Sequence, residues 1–163
     1  MKIWKIFDLM WIKNQEGERE ATLASVYKCP EVVYLPERTY EVGKPAPFYN
    51  HTDSPPHDFT LESGMFAFSS LKAARLYEGG SYPIVELDVN PQHVLDAFDP
   101  LDWFREGAIV RYPGRVIVTK FTMPAKPTLL FTKEAVESDY SKYKTARHGW
   151  PYAVRKIRDK ELE

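Results

Sequence analysis

The chain has 163 residues, 14% of them aromatic, and its 22 basic residues are balanced by 23 acidic ones to a formal net charge of -1. That length suits one domain with a core of its own, the aromatic content speaks against disorder, and the charge balance argues against nucleic acid or a membrane surface as partner. Its single cysteine, Cys29, permits no internal disulfide, no apolar run approaches the ~20 residues that span a bilayer, and the charged start does not read as a signal peptide, so a soluble, cytoplasmic protein is expected.

Residues 2–13 are rich in Ile, Trp and Phe. Trp4, Phe7 and Trp11 fit helical spacing while Ile3, Lys5 and Phe7 fit a strand, which leaves both open. A polar turn follows over residues 14–20. Residues 26–28 and 32–35 read as short strands split by Pro30, and residues 38–42 as a third that Gly43-Lys44-Pro45 ends. Residues 45–58 carry four prolines with Asn, His, Asp and Ser, the composition of a loop long enough to act as a mobile lid or binding segment.

Residues 64–77 are the most informative stretch. Gly64 opens the apolar run Met65, Phe66, Ala67 and Phe68, and Ser69 or Ser70 then supplies an oxygen that caps the first amides of a helix. On that helix Ala73, Ala74 and Tyr77 share a face. A small-residue floor with an aromatic beside it can hold a flat ligand, or can pack against a sheet.

Beyond a turn at Gly79-Gly80, residues 82–89 read as a strand and 94–98 as a helical turn or a strand. Residues 99–107 form a loop with Trp103. Residues 108–112 and 115–121 flank Pro113-Gly114 as the arms of a hairpin. Thr132 caps a helix over residues 132–143, with Phe131 and Val136 as a hydrophobic staple, within a C-terminal helical segment, 132–163. The fold class expected is α+β: a single domain over residues 1–163, mostly antiparallel strands with a few short helices.

Four groups of residues carry potential chemistry. His51, Asp53, His57 and Asp58 in the proline-rich segment offer metal-ligating types, but their spacing fits no closed site and a solvated polar loop also accounts for them. Glu86 and Asp88 project from one strand face and would serve acid–base work if that face were buried; the other account is the wet side of a half-exposed strand. Arg105, Arg111 and Arg115 could clamp phosphates or be solvated edge residues. The basic and aromatic tail, including Arg147, Trp150, Tyr152, Arg155 and Arg158, has the residue types of a single-strand binding surface, diluted by acidic neighbours.

Residues 64–77 also resemble the second signature of the ADP-ribosyltransferase superfamily, as seen in its poly-ADP-ribose polymerase branch. Gly64, Phe66 and Tyr77 fall at matching intervals, and Ala74 stands where that family has a small hydroxyl residue. The resemblance implies an ADP-ribosyltransferase-like core in which Tyr77 stacks on nicotinamide and Phe66, Ala73, Ala74 and Tyr77 line the cleft, with His51 or His57 on a loop over it; Arg111, from the guanidinium group above, is a further ligand-binding candidate. The order of the segments around Tyr27, Tyr40 and Gly64 is similar to small phage and bacterial domains with a reduced version of that fold. The family's first motif is missing, and the strand over residues 115–121 has no catalytic glutamate, leaving Glu134 or Glu86 as candidates.

Three functions are therefore expected. The first is a regulatory or counter-defence domain, phage-encoded if the resemblance holds, that binds a nucleotide-like small molecule or a host protein without transferase activity. The second is an active mono-ADP-ribosyltransferase or NAD hydrolase, with NAD as cosubstrate and Glu134 or Glu86 as the catalytic carboxylate. The third is a protein-interaction module using exposed aromatics such as Trp103 and Trp150.

Overall fold

The computed structural model of the chain describes residues 1–26, 31–49, 54–78, 82–96, 114–131 and 152–163. Period-two alternation settles the ambiguity at the N-terminus in favour of strands: β1 (Lys2–Ile6) and β2 (Asp8–Lys13) run on from one another through Phe7. Ile3 and Lys5 point to one face of β1 and both are buried, as a pleated strand with an inner face requires. Phe7 is fully buried at the corner where the chain passes from one sheet to another, its ring edge-on to Tyr34 at 5.1 Å.

Strand β2 forms a hairpin with β3 (Arg19–Ala24). The connection is fixed by Asn14, whose Oδ1 accepts from the amides of Glu16 and Glu18, a local side-chain turn of the kind Asn favours. Strands β4 (Glu31–Tyr34), β6 (Pro45–Tyr49) and β7 (His57–Thr60) complete a five-stranded antiparallel sheet in the order β2-β3-β4-β6-β7. Between β4 and β6 in the chain, β5 (Thr39–Glu41) leaves this sheet to pair with β12 (Lys120–Thr122).

A seven-stranded sheet contains β1, β8 (Met65–Phe68), β9 (Ile84–Asp88), β10 (Val94–Asp96), β11 (Arg115–Val118), β13 (Thr128–Phe131) and β14 (Ala153–Lys156). Its order is β10-β11-β8-β1-β9-β13-β14, antiparallel except for the β13–β14 pair. Its inner face, with Ile3, Ala67, Val85, Leu87 and Val118, packs with Leu23, Val32 and Tyr34 of the five-stranded sheet and with Tyr40 and Phe121 of the small one. The opposite face carries the helix α1 (Leu71–Glu78), whose Leu71 and Ala74 are buried with Ile6, Phe68, Ile84 and Leu130. The chain is thus a small, strand-rich single domain of mixed sheets with little helix.

Three expectations need correcting. The segment 45–58 is not a loop along its length: Pro45–Tyr49 and His57–Thr60 are paired strands, with Pro47 opposite Asp58. Pro45 and Pro47 sit in the half of β6 that β4 leaves unpaired, since β4 meets only Phe48 and Tyr49, and a strand accepts non-donating residues where one side is open. The C-terminal segment is not helical where it is described. Ala153–Lys156 pairs in parallel with β13, and only a short 3-10 turn, Asp159–Leu162, follows; sheet pairing overrides a weak local helical preference. Residues 115–121 divide into β11 and β12, which belong to different sheets, and β11 lies between β8 and β10. The other arm of the expected hairpin and the helix over 132–143 lie outside the described residues.

Candidate functional site

The strand-to-helix unit forms as its residues dictate. Ser70 Oγ accepts from the Ala73 amide at 3.1 Å, the capping bond that starts α1. Ser69 N–H donates to the Gly114 carbonyl at 2.8 Å, tying the end of β8 to the turn before β11. Gly114 adopts φ +82 there, a conformation that costs glycine little. At the other end of β8, Gly64 lies so close to β11 that a Cβ would overlap Ile117 Cγ2.

Strand β1 is paired very differently on its two sides. With β9 it makes five register pairs, from Lys2↔Asp88 to Ile6↔Ile84, whereas with β8 it makes one, Trp4↔Phe68. At this parting of the sheet opens a cavity of about 250 Å³. Lys5 and Ile6 of β1, Gly64, Met65, Phe66 and Phe68 of β8, Tyr77 of α1 and Arg115 of β11 form its walls. Val32 and Tyr34 of the five-stranded sheet close it, with Ser25 and Val26 just beyond β3 and Leu61 just beyond β7.

The lining is apolar and aromatic with two cations. The Phe68 and Tyr77 rings lie 5.2 Å apart, tilted by 43°. The Arg115 guanidinium stacks over Phe66 at 3.8 Å from the ring centre and lies 5.8 Å from that of Tyr77. Lys5 is only 7% exposed. Its Nζ donates to the Phe66 carbonyl at 3.0 Å and stands 5.3 and 5.4 Å from the Phe7 and Tyr34 ring centres. Among the described residues no carboxylate lines the cavity. Burial, and then the neighbouring Tyr40, push the Tyr34 phenol well above its usual range, so it stays protonated and supplies no base.

Of the residues singled out from the sequence, Gly64, Phe66, Tyr77 and Arg115 meet at this cavity. Ala74 does not line it; fully buried beneath α1, it packs in the core beside Leu71 and Ile84. His57 is exposed on β7, at the edge of the five-stranded sheet, and does not line the cavity. Glu86 is exposed on β9 with Lys2 Nζ at 3.0 Å, and Asp88 beside it meets the N-terminal amine at 3.3 Å. These two carboxylates are the solvated side of the strand. His51, Arg111 and Glu134 lie outside the described residues, as do Cys29, Arg105, Trp103 and Trp150.

Asp58 is paired with Arg38 at 3.3 Å, and among the described residues no group of His, Cys, Asp and Glu could hold a metal ion. Arg155 and Arg158 both bind Glu161. No helix among the described residues is long and apolar enough to cross a membrane.

One cavity residue, Lys5, escapes sequence reasoning, and a second, Arg115, is left by it between two accounts. Arg115 reads as either a phosphate clamp or a solvated edge charge; β11 is internal and the guanidinium is held over an aromatic ring, so it is not an edge residue. Lys5 reads as an interruption of an apolar run. Its signal is its phase: it alternates with Ile3 and Phe7, so it must face inward if they do.

Comparison with protein-family models, with curated proteins and with solved structures finds no match to this chain. The likeness to the ADP-ribosyltransferase signature therefore rests on residues 64–77 themselves.

Proposed function

We propose that the chain is a small-molecule-binding domain that holds a planar, nucleotide-like ligand in the cavity between β1 and β8 and performs no transferase reaction on it. One observation carries the reading: Phe66, Phe68, Tyr77 and Arg115, from two strands and a helix, converge on one cavity of about 250 Å³. Apolar walls with a few convergent polar groups are the usual make-up of a ligand pocket, and aromatic faces with a stacked guanidinium suit a flat, anionic guest. The volume is just below the roughly 300–1,000 Å³ of pockets for drug-sized ligands, which favours a mononucleotide or smaller over an enclosed dinucleotide. The described wall offers no carboxylate to stabilise an oxocarbenium-like centre, and Glu86 is committed to Lys2 at the surface. A regulatory role of the kind implied by the likeness to small phage and bacterial domains needs only such binding.

The test is to add NAD, ADP-ribose or AMP to the purified chain and follow thermal stability together with nicotinamide release. A thermal shift without release is expected. Release of nicotinamide from NAD would overturn the non-catalytic reading and direct attention to Glu134 and Glu86. No shift with any of the three would overturn the ligand reading in favour of a protein partner.

A further inference from the structure

The five-stranded sheet ends in β7, whose four residues are all exposed. Among the described residues it pairs with β6 on one side and with no strand on the other, and none of the four lines the cavity. We infer that β7 pairs antiparallel with β7 of a second copy of this chain, about a two-fold axis at Phe59. The prolines of β6 set which backbone groups are free to do so. Pro45 and Pro47 stand opposite Thr60 and Asp58 and have no N–H to give, so these are the non-hydrogen-bonded pairs of the ladder. The next pair agrees, with the Leu61 N–H donating to the Lys44 carbonyl at 2.9 Å. In a non-hydrogen-bonded pair each residue's own N–H and C=O point away from the neighbouring strand. The outward groups of β7 are therefore those of Asp58 and Thr60. Phe59 lies on the inner face with Ala46 and Phe48, its ring 6.0 Å from that of Phe48, and ends that apolar row 59% exposed.

The sequence of the edge is complementary to itself in one register. With Phe59 on the axis, Asp58 stands opposite Thr60 of the second copy and the two exchange both backbone hydrogen bonds, which the symmetry repeats on the other side. The two Phe59 rings then form a close cross-strand pair. The neighbouring registers are opposed. With Asp58 on the axis two carboxylates meet and Thr60 faces Pro56, which has no amide; with Thr60 on the axis Asp58 meets Glu62. In the favoured register the Asp58 charge meets no like charge and has Arg38 of its own copy at 3.3 Å. The competing account is that β7 is a blunted edge, kept short and marked by Asp58 and Pro56 against pairing, with Phe59 a lone surface aromatic.

Sedimentation velocity of the unmutated full chain from about 10 µM to about 1 mM decides between them, because a contact this small gives a Kd of the order of 0.1 mM. A dimer fraction that rises with concentration is expected, and a monomer throughout overturns the inference. Thr60→Pro removes an outward amide and no bond to β6, so the dimer fraction at the highest concentration is expected to fall about five-fold while the fold is kept. A dimer that survives in folded Thr60→Pro overturns the assignment to β7. Cross-linking reads the register. In a Cys29→Ser background, Phe59→Cys sets two thiols on residues with Cα atoms about 4.5 Å apart, within the reach of a disulfide, whereas His57→Cys sets them several residues apart. Oxidised glutathione is expected to link the first variant into a dimer and not the second; linking of both alike, or of neither, overturns the pairing. The unmutated protein and the cysteine variants decide even if Thr60→Pro does not fold.

Discussion

The Arg115 guanidinium lies 3.8 Å from the centre of the Phe66 ring. The register of β11 on β8 sets Arg115 opposite Phe68 and Ile117 opposite Phe66, so Arg115 reaches Phe66 diagonally across the same sheet face. A planar guanidinium on an aromatic face gains about 0.5–2 kcal/mol depending on how far it is desolvated. The contact also fixes the direction of the charge at the cavity mouth. Arg115→Lys keeps the charge and loses the plane. AMP affinity is expected to fall about ten-fold while the melting temperature stays within a few degrees, read by calorimetric titration and thermal denaturation. Unchanged affinity would show that charge matters there and stacking does not.

Tyr77 serves the helix and the cavity at once, so its two simplest substitutions should separate. Its ring sits 5.2 Å from Phe68 in the last turn of α1. Tyr77→Phe keeps the ring and is expected to retain fold and ligand-induced thermal shift. Tyr77→Ala removes a half-buried aromatic and should cost about 1–3 kcal/mol in urea unfolding together with the shift. Loss of binding in Tyr77→Phe as well would move the ligand contact from the ring to the hydroxyl.

Gly64 is required by space. A methyl group there would overlap Ile117 Cγ2 on the neighbouring strand, and β-branched Ile117 has little freedom to turn away. Gly64→Ala is expected to destabilise the fold by about 1–3 kcal/mol, as overpacking does. The double substitution Gly64→Ala with Ile117→Ala should recover part of the loss, and urea denaturation of both variants checks it. No recovery would place the strain in the backbone near Val118, whose carbonyl is the next atom in the way.

How much of this is legible in the sequence depends on whether the determining contacts are local. The unit over residues 64–77 is readable because its cap, its apolar strand and its helical face are all set within a few residues. The strand nature of residues 2–6 is undecidable locally, because it depends on β9 pairing with Lys2 to Ile6 from about eighty positions away. Residues 45–58 mislead for a related reason. Proline punctuates loops in general, and only the one-sided pairing of the first half of β6 makes Pro45 and Pro47 compatible with a sheet. Ala74 shows the limit on the site itself: helical spacing places it on a face with Tyr77, but only packing distinguishes the part of that face against the sheet from the part at the cavity.

Tyr40 joins two strands through its hydroxyl. Fully buried, it donates to the Val33 carbonyl and accepts from the Leu35 amide, both at 2.7 Å, while its ring lies 4.7 Å from Tyr34 and 5.6 Å from Phe121. Burial raises its pKa well above the usual phenol range, with the Leu35 amide opposing, so the hydroxyl keeps its proton. Tyr40→Phe leaves a backbone donor and acceptor without these partners and is expected to cost about 1–3 kcal/mol. Urea unfolding measures it, and a change under half that would mean water replaces the hydroxyl.

Glu161 gives the fold a pH-dependent clasp at its C-terminal turn. Its carboxylate receives two bonds from Arg155, and Arg158 Nε lies 2.6 Å away. These guanidinium groups, Arg155 foremost, lower its pKa from the ordinary 4.5 to about 2. A carboxyl whose folded pKa is depressed stabilises the fold fully above its unfolded value and loses that contribution as pH falls toward the folded one. The clasp should therefore be intact at neutral pH and weaken between about 4.5 and about 2. Both arginines are exposed although Glu161 itself is half-buried, so salt should reduce its effect. Glu161→Gln removes the titrating group, and the stability gap between wild type and variant is expected to narrow across that window and to be smaller in high salt. A gap that is constant with pH and salt would show that Glu161 acts by packing and not by charge.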